Sequence, residues 1–382
     1  MNFSYQNQTA IHFGQGQIAK LAKSIDKQHK VLLAYGGGSI KSNGVYQQVL
    51  TALKDHAIVE FSGIEPNPSY ETTMKAVELV KEENVDFILA VGGGSVVDGC
   101  KFIAAAAKFD GEPWDILAKN APVNAAIPLG VVLTLPATGS ESNSFAVVSK
   151  LSTKDKFAFG SPYVHPLFAV LDPDVMKSLP DRQLTNGIVD AFVHIMEQYL
   201  TYSVNAKVQD RFAEGLLLTL IEEGPKVFSA NDDEVRANVM WSATMALNGL
   251  IGAGVPQDWS THGIGHEITA LYGLDHAQTL AIILPRMMSE MRKEKQDKLV
   301  QYAARIWGIT EGDIDKKIDQ AIEKTESFFH AVGMKTRFAD YNLNEEVVDA
   351  LVAQLERHNQ TAMGERQAVT LERSKRIIRA SL

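Results

Sequence analysis

The chain has 382 residues, of which 45% are hydrophobic and 22% are charged, so its length suggests two domains and its composition excludes a disordered chain. The net charge is −9 without any basic block, which excludes nucleic acid as an expected partner. Its single cysteine, Cys100, excludes a disulfide framework and fits the reducing cytoplasm. We expect no secretory signal and no membrane span, because the most apolar run, 125–137, is short and contains proline and glycine.

The first half of the chain alternates short β-rich runs with amphipathic stretches, which predicts βαβ units and a mainly parallel sheet. Residues 70–84 carry apolar side chains at roughly helical spacing and can cover one face of that sheet. We therefore predict an α/β dinucleotide-binding domain over residues 1–179. Its predicted strands cover residues 31–35, 57–61, 86–91 and 127–136.

The second half changes to long helical patterns with few β-rich runs. We predict an all-α domain over residues 180–382, because proline and turn residues near positions 171–174 and 179–181 interrupt the chain at the junction. Examples of its predicted helices are residues 210–223, 234–250 and 316–332.

Two glycine-rich turns, residues 36–39 and 92–95, each follow a predicted strand and lead into a helical pattern. Glycine lets backbone N–H groups approach a pyrophosphate closely, and a following helix adds a favourable dipole. Neither turn matches GxGxxG or the P-loop, and a single turn of this kind is more often structural. Two in one sheet favour dinucleotide binding.

The residues around the first turn, 30–45, include no acidic side chain, whereas an NAD site usually offers a carboxylate to the ribose. Lys41 lies nearby and can attract the 2′-phosphate of NADPH, although a solvated lysine is the plainer interpretation. We therefore predict NADPH rather than NADH.

Asp98 lies one helical turn beyond the second glycine turn and can cap or orient donors there. Residues 134–141 supply hydroxyl groups for a phosphate or a nicotinamide, which alone is a weak signal. Cys100 is expected in the core, since its neighbour Lys101 does not face it on a helix. This placement disfavours thiol-dependent aldehyde oxidation.

The helical half concentrates histidines and a carboxylate. Asp190 and His194 are four residues apart, so both project from one helix face, and His262 and His266 repeat that spacing before His276. Imidazoles and one carboxylate can hold Zn²⁺ or Fe²⁺ and leave a position for a substrate oxygen. The clustering favours a catalytic metal over hydrogen-bonded core histidines.

These motifs together resemble the iron-containing, or group III, metal-dependent alcohol dehydrogenases over essentially the whole chain. The matching motifs are GGGS with Asp98, EPNPSYET, LTLPATGSESN, VLDP, DAFVH and HGIGHE followed by GLDH. The residues in these motifs are most similar to those of the branch of NADPH-dependent aldehyde reductases and butanol dehydrogenases. The resemblance implies a dinucleotide-binding α/β domain joined to a helical metal domain with the site in the cleft, and a homodimer.

The resemblance also implies individual roles. His266 becomes a residue near the nicotinamide and the substrate rather than a ligand. The implied metal ligands are Asp190, His194, His262 and His276. The implied cofactor contacts are Gly37, Gly38, Ser39, Asn67, Gly93, Gly94, Ser95, Asp98, Thr134, Thr138 and Lys156.

Our hypothesis is a cytoplasmic enzyme that reduces a small aldehyde to a primary alcohol, with the metal as Lewis acid, NADPH as hydride donor, and His266 or water as proton donor. One alternative is a metal-dependent cyclising lyase resembling dehydroquinate synthase, which needs Lys and Arg beside the metal. The segments 187–206 and 237–285, which hold the implied ligands, have neither. The other alternative is a non-catalytic NADPH-binding protein.

Overall fold

The computed structural model describes residues 2–229 and 232–382, and the chain divides into two compact units. We call the first the sheet unit; it comprises Gln6–Pro180 together with Asp232–Met240. We call the second the helical unit; it comprises the described residues of Met1–Tyr5, Asp181–Asn231 and Trp241–Leu382.

The sheet unit is built on parallel strands. Its strands are β1 (Ala10–Phe13), β2 (Lys30–Tyr35), β3 (Ala57–Phe61), β4 (Phe87–Gly93), β5 (Leu129–Leu135), β6 (Phe145–Lys150), β7 (Asp155–Gly160) and β8 (Phe168–Leu171). Six of them form a sheet in the order β1-β8-β5-β4-β2-β3, and every neighbouring pair in it is parallel. The central strands are buried along almost their whole length, which explains why they read as continuous apolar runs.

The prediction of a mainly parallel sheet is confirmed, and the four predicted strands are β2, β3, β4 and β5. The prediction omitted β1 and β8, which are only four residues long. It also omitted β6 and β7, which form a separate antiparallel hairpin. A strand of four residues, such as β1 or β8, carries too little periodicity to be distinguished from a loop.

Helices connect these strands. Ser69 caps α4, because its hydroxyl accepts the Thr72 N–H at 3.1 Å. The helices of this unit are α1 (Leu21–Ser24), α2 (Ser39–Ser42), α3 (Val45–Ala52), α4 (Tyr70–Glu82), α5 (Gly94–Ala106) and α6 (Asp115–Ala118), with 3₁₀ turns at Gln17–Lys20, Ser140–Ser142, Pro162–Val164 and Pro173–Ser178.

The strand order reverses between β2 and β4, since β3 lies on one side of β2 while β4 and β5 lie on the other. In register, Tyr35 lies beside Val91, so the two strands end at the same edge of the sheet. Ligands of open parallel sheets bind at such a switch point, outside the carboxyl ends of the strands. Both glycine-rich turns lie at this edge.

The helical unit consists mostly of helices, and one short antiparallel sheet, β9 (Ala362–Met363) with β10 (Val369–Thr370), departs from the all-α prediction. The helix α9 (Asp233–Ala246) contributes residues to both units. The others are α7 (Asp181–Tyr199), α8 (Lys207–Glu223), α10 (Ser260–Tyr272), α11 (His276–Glu290), α12 (Gln296–Trp307), α13 (Ile314–Ala331), α14 (Glu346–Arg357) and α15 (Leu371–Ala380), with 3₁₀ turns at Gly224–Phe228 and Phe338–Tyr341.

The core of the helical unit includes a cluster of buried apolar residues on α10, α11, α14 and α15, centred on side chains such as Ile264, Ile283 and Leu351. This packing fixes α10 and α11 relative to each other. Within residues 2–229 and 232–382, no helix is both long enough and apolar enough to cross a membrane.

The sheet tolerates no side chain at Gly130. A Cβ there would lie 2.2 Å from the ring of Phe168 on β8, which is itself stacked on Phe87 at 6.2 Å between ring centroids. Because overpacking a filled core is destabilising, we predict that Gly130→Ala lowers the free energy of unfolding by about 1–3 kcal/mol. Chemical denaturation followed by circular dichroism measures this change.

Gly215→Ala is the matched control, because Gly215 is exposed on α8 and a Cβ there meets nothing within 4 Å. Replacing a helical glycine by alanine is expected to raise stability by about 0.5–1 kcal/mol. A Gly130→Ala protein as stable as the wild type contradicts the packing described for β5 and β8.

Candidate metal and dinucleotide sites

Three helices of the helical unit bring four potential metal ligands together. Asp190 and His194 lie one turn apart on α7, His262 lies in the first turn of α10, and His276 is the first residue of α11. One donor atom from each side chain lies within 4.8 Å of every other. All except His276 are buried.

The carboxylate lies among the imidazoles. Asp190 Oδ1 is 3.6 Å from His194 Nε2 and 3.7 Å from His276 Nε2. The rings of His194 and His262 stack at 4.8 Å between centroids, and that of His276 lies 5.1 Å from His262. Three imidazoles therefore surround one carboxylate.

Hydrogen bonds anchor the end of α11 that carries His276. Asp275 caps this helix, and the side chain of Gln278 completes a capping box with it. The carboxylate of Asp275 also accepts from the guanidinium of Arg182 at 2.6 and 2.7 Å and from the amide of Asn186 at 2.7 Å. Two residues of α7 thus hold His276 beside the ligands that α7 itself carries.

The donor set suits a divalent transition metal. Burial lowers the pKa of His194 to about 4, so its imidazole is neutral near pH 7, which is the form that binds metals. Neutral imidazoles with one carboxylate are the ligands that Zn²⁺ and Fe²⁺ accept. The residues present therefore fit such an ion.

His266 lies beside the cluster without being part of it. It follows His262 by one turn of α10 and is half-buried. Its ring centroid lies 5.3 Å from that of His276 and 6.3 Å from that of His262. This position allows His266 to act on a molecule held at the cluster.

Sequence reasoning missed Glu197, a buried carboxylate on the same face of α7. Its Oε1 accepts the Thr261 N–H at 2.9 Å, and its Oε2 is 3.6 Å from Nδ1 of His262. In the metal-free protein, burial and the nearby Asp258 raise the pKa of Glu197 to about 8, and a cation bound at His262 would favour the ionised carboxylate. Helical spacing could have found it, because it follows Asp190 by seven residues and His194 by three.

In the sheet unit, the second glycine turn makes a close contact with the loop that follows β5. A Cβ on Gly94 would lie 2.4 Å from the side chain of Thr138, and one on Gly93 would lie 3.1 Å from Leu135. These glycines allow the start of α5 to approach that loop. Thr134, which precedes Leu135 on β5, is half-buried.

Two further implied cofactor contacts, Asn67 and Lys156, are joined to this turn by hydrogen bonds. The N–H of Asn67 donates to the hydroxyl of Ser95 at 3.2 Å, and Lys156 Nζ donates to Asn67 Oδ1 at 2.8 Å. Asn67 has a φ of 56°, in the left-handed region that asparagine tolerates. The structure thus brings Asn67, Ser95 and Lys156 together.

Asp98 belongs to a hydrogen-bond network around the turn that follows β5. Its carboxylate accepts the Ser140 hydroxyl at 2.6 Å and the Val147 N–H at 3.0 Å. Lys101 is fully buried and donates to the same Ser140 at 2.8 Å. Burial raises the pKa of Asp98 and lowers that of Lys101 to about 8. The pair fixes the turn after β5.

The expectation for Cys100 is confirmed. The residue is fully buried on α5, and burial raises the pKa of its thiol. A neutral, enclosed thiol is a poor nucleophile.

The first glycine turn leads into the short helix α2, with Gly37 and Gly38 before Ser39; Gly38 has a φ of 97°. Lys41 Nζ lies 4.8 Å from the ring centre of Tyr46. The hydroxyls of Tyr35 and Tyr46 both donate hydrogen bonds to Glu60 on β3.

An acidic side chain does lie near this turn, although residues 30–45 contain none. Glu60, at the end of β3, is 3.8 Å from Lys41 Nζ. Its two oxygens accept the hydroxyls of Tyr35 at 2.8 Å and Tyr46 at 2.5 Å. A search extending about 20 residues beyond the turn, where dinucleotide folds place an acidic residue, could have found it.

Family comparisons match both halves of the chain. A model described as "Iron-containing alcohol dehydrogenase" matches residues 8–173, and one described as "Fe-containing alcohol dehydrogenase family, C-terminal" matches residues 185–382. The chain belongs to the iron-containing alcohol dehydrogenase family. The resemblance inferred from its motifs is therefore confirmed.

Named relatives match nearly the whole chain. The NADPH-dependent aldehyde reductase YqhD of Escherichia coli is 57% identical, over 100% of this chain and 99% of the relative. A probable NADH-dependent butanol dehydrogenase of Bacillus subtilis is 43% identical over 92% of each. A crystal structure of E. coli YqhD matches with a TM-score of 0.98 at 56% identity, over 100% and 99% of the two chains.

The geometry predicts that Asp190→Asn weakens Zn²⁺ binding at least about tenfold, because a neutral amide replaces a carboxylate ligand. Competition with a chromophoric chelator measures the dissociation constant. Asp210→Asn is the control, since Asp210 lies on α8 and pairs with Lys298 at 2.5 Å. Equal Zn²⁺ affinity in the Asp190→Asn and wild-type proteins contradicts this assignment.

Proposed function

We propose that this protein is a metal-dependent oxidoreductase that reduces short or medium aldehydes to primary alcohols with NADPH, and catalyses the reverse oxidation. The observation that carries the proposal is the cluster of three imidazoles and one carboxylate, in a chain 57% identical to an NADPH-dependent aldehyde reductase. In the balanced reaction an aldehyde, NADPH and a proton give an alcohol and NADP⁺.

The proposed metal ligands are Asp190, His194, His262 and His276. A divalent ion supplies Lewis-acid polarisation of the carbonyl oxygen, and the nicotinamide supplies a hydride. Three imidazoles and one carboxylate are a donor set that favours a divalent cation there. Availability as well as ligand type determines whether Zn²⁺ or Fe²⁺ occupies such a site.

The dinucleotide is proposed to bind the domain of residues 1–179, and the metal the domain of residues 180–382. The backbone at the start of α5 suits a pyrophosphate, since no side chain caps that helix and glycines precede Ser95. Lys156 adds a buried cation beside Asn67. The proposed contacts are Gly37, Gly38, Ser39, Asn67, Gly93, Gly94, Ser95, Asp98, Thr134, Thr138 and Lys156.

The first glycine turn supports NADPH over NADH. Lys41 offers a positive charge for the 2′-phosphate, while both oxygens of Glu60 already accept tyrosine hydroxyls. Because these hydrogen bonds hold the Glu60 carboxylate against the two tyrosines, we propose that it is not the acceptor of the ribose hydroxyl that an NAD site binds. We further propose a homodimer in the cytoplasm, for which the support is the family resemblance and the single, buried Cys100.

The cyclising lyase and the non-catalytic binding protein receive less support. The lyase requires cationic side chains for a substrate phosphate, and residues 187–206 and 237–285 contain no Lys or Arg. A binding protein has no need for the complete ligand set.

The proposed function predicts that metal-stripped protein consumes NADPH with butanal only after Zn²⁺ or Fe²⁺ is restored, and consumes NADH more slowly. The initial rate of absorbance loss at the nicotinamide band measures this. Protein that binds NADPH and the metal but turns over no short aldehyde contradicts the reductase proposal, whereas a faster rate with NADH contradicts only the cofactor preference.

His266 is proposed to relay the proton to the product oxygen, because imidazole titrates near neutrality and the ring lies beside the cluster. We expect His266→Ala to lower turnover by about 10²-fold or more, a typical contribution of general acid catalysis, while bound metal stays near the wild-type level. Steady-state kinetics together with metal analysis tests both expectations. Unchanged turnover removes His266 from the mechanism and leaves water as the proton donor.

A further inference from the structure

Glu197 is a buried carboxylate that lies beside the proposed metal ligands. It shares a face of α7 with Asp190 and His194, and only 2% of its side chain is exposed. An isolated buried carboxylate is costly, so its surroundings must favour it. Its two oxygens face different groups, so one oxygen can cap a helix while the other faces a proposed metal ligand.

One oxygen has a structural partner. Oε1 accepts the N–H of Thr261, in the first turn of α10, at 2.9 Å. The first N–H groups of a helix lack partners within the helix, so this bond caps α10. Capping alone would make Glu197 a structural residue.

The other oxygen faces a proposed ligand. Oε2 lies 3.6 Å from Nδ1 of His262, which leaves Nε2 of that ring as the atom available to a metal. A neutral imidazole carries one proton, and a carboxylate opposite Nδ1 favours the tautomer with the proton there. Histidine ligands commonly have a partner of this kind on the nitrogen that does not bind the ion.

A buried ion-pair network holds Glu197 and His262 in place. The N–H of Asp258 donates to the backbone carbonyl of Glu197 at 2.9 Å, and Lys295 Nζ donates to the carboxylate of Asp258 at 2.5 Å. Lys295 also donates to the carbonyl of Leu200, just beyond the end of α7, at 2.6 Å. The end of α7 and the start of α10 are thereby fixed together, so Glu197 cannot readily move away from His262.

We propose that Glu197 is a positioning residue that keeps the proton of His262 on Nδ1 and thereby strengthens metal binding by the cluster. The inference rests on the proposed metal site, and it extends that site by a residue that does not contact the ion. Carboxylate partners of ligand histidines typically contribute 10–100-fold to metal affinity.

Glu197→Gln tests this role. A glutamine keeps an oxygen that can accept the Thr261 N–H, but it removes the negative charge and can present an amide N–H to His262. We expect the Zn²⁺ dissociation constant, measured by chelator competition, to rise about 10–100-fold. A residue that only caps α10 would leave that constant unchanged.

Glu214→Gln is the matched control. Glu214 is another buried carboxylate of the helical unit, and it accepts the Tyr199 hydroxyl at 2.9 Å and the Arg305 guanidinium at 2.7 Å. We expect its Zn²⁺ affinity to remain within about twofold of the wild type, because the 10–100-fold effect belongs to partners of ligand histidines. A similar loss of affinity in both variants overturns the proposal, because it shows a general effect of removing a buried charge.

A second measurement uses the unmodified protein and does not depend on how the variant folds. In Zn²⁺-loaded protein with ¹⁵N-labelled histidine, the nitrogen chemical shifts and couplings should show His262 protonated at Nδ1 and metal-bound at Nε2. Coordination through Nδ1 overturns the proposal. Equal Zn²⁺ affinity of the wild type and Glu197→Gln overturns this proposal alone, whereas wild-type protein that binds no Zn²⁺ overturns the metal site as well.

Discussion

Three imidazoles and a carboxylate within 4.8 Å of one another form the constraint on which the account of this protein depends. Burial favours the neutral imidazole of His194, which is the form that binds a metal. A divalent cation fits the nitrogen and oxygen donors of the cluster. The helix caps, the contacts of Asp275 and the network around Lys295 then serve to hold the ligands on three different helices.

Much of this arrangement could be predicted from the sequence, because it depends on local spacing. The apolar runs that became β2, β4 and β5 are buried along almost their whole length, and β3 is rich in β-branched and aromatic residues, so composition reveals all four strands. Asp190 and His194 lie on one helix face because four residues make about one turn. The glycine turns could be placed at one edge of the sheet once the strands were taken as parallel. The concentration of histidines indicated a site shared with His262 and His276, and the family resemblance was needed to set His266 apart from the implied ligands.

Contacts between distant elements could not be predicted in this way. Glu60 reaches Lys41 because β3 pairs with β2 in a particular register, and a search limited to residues 30–45 had no access to that register. Glu197 meets His262 only because α7 packs near α10. The short strands β1 and β8 are defined by their pairing with each other and with β5 rather than by their own sequence.

The central claim is that the cluster holds one divalent ion through nitrogen and oxygen ligands. X-ray absorption at the zinc edge of stoichiometrically loaded wild-type protein tests it most directly. The account predicts nitrogen and oxygen neighbours at about 2.0–2.1 Å with the outer-shell scattering of three imidazole rings. A spectrum with one imidazole or none, typical of zinc bound to surface carboxylates and water, would contradict the account.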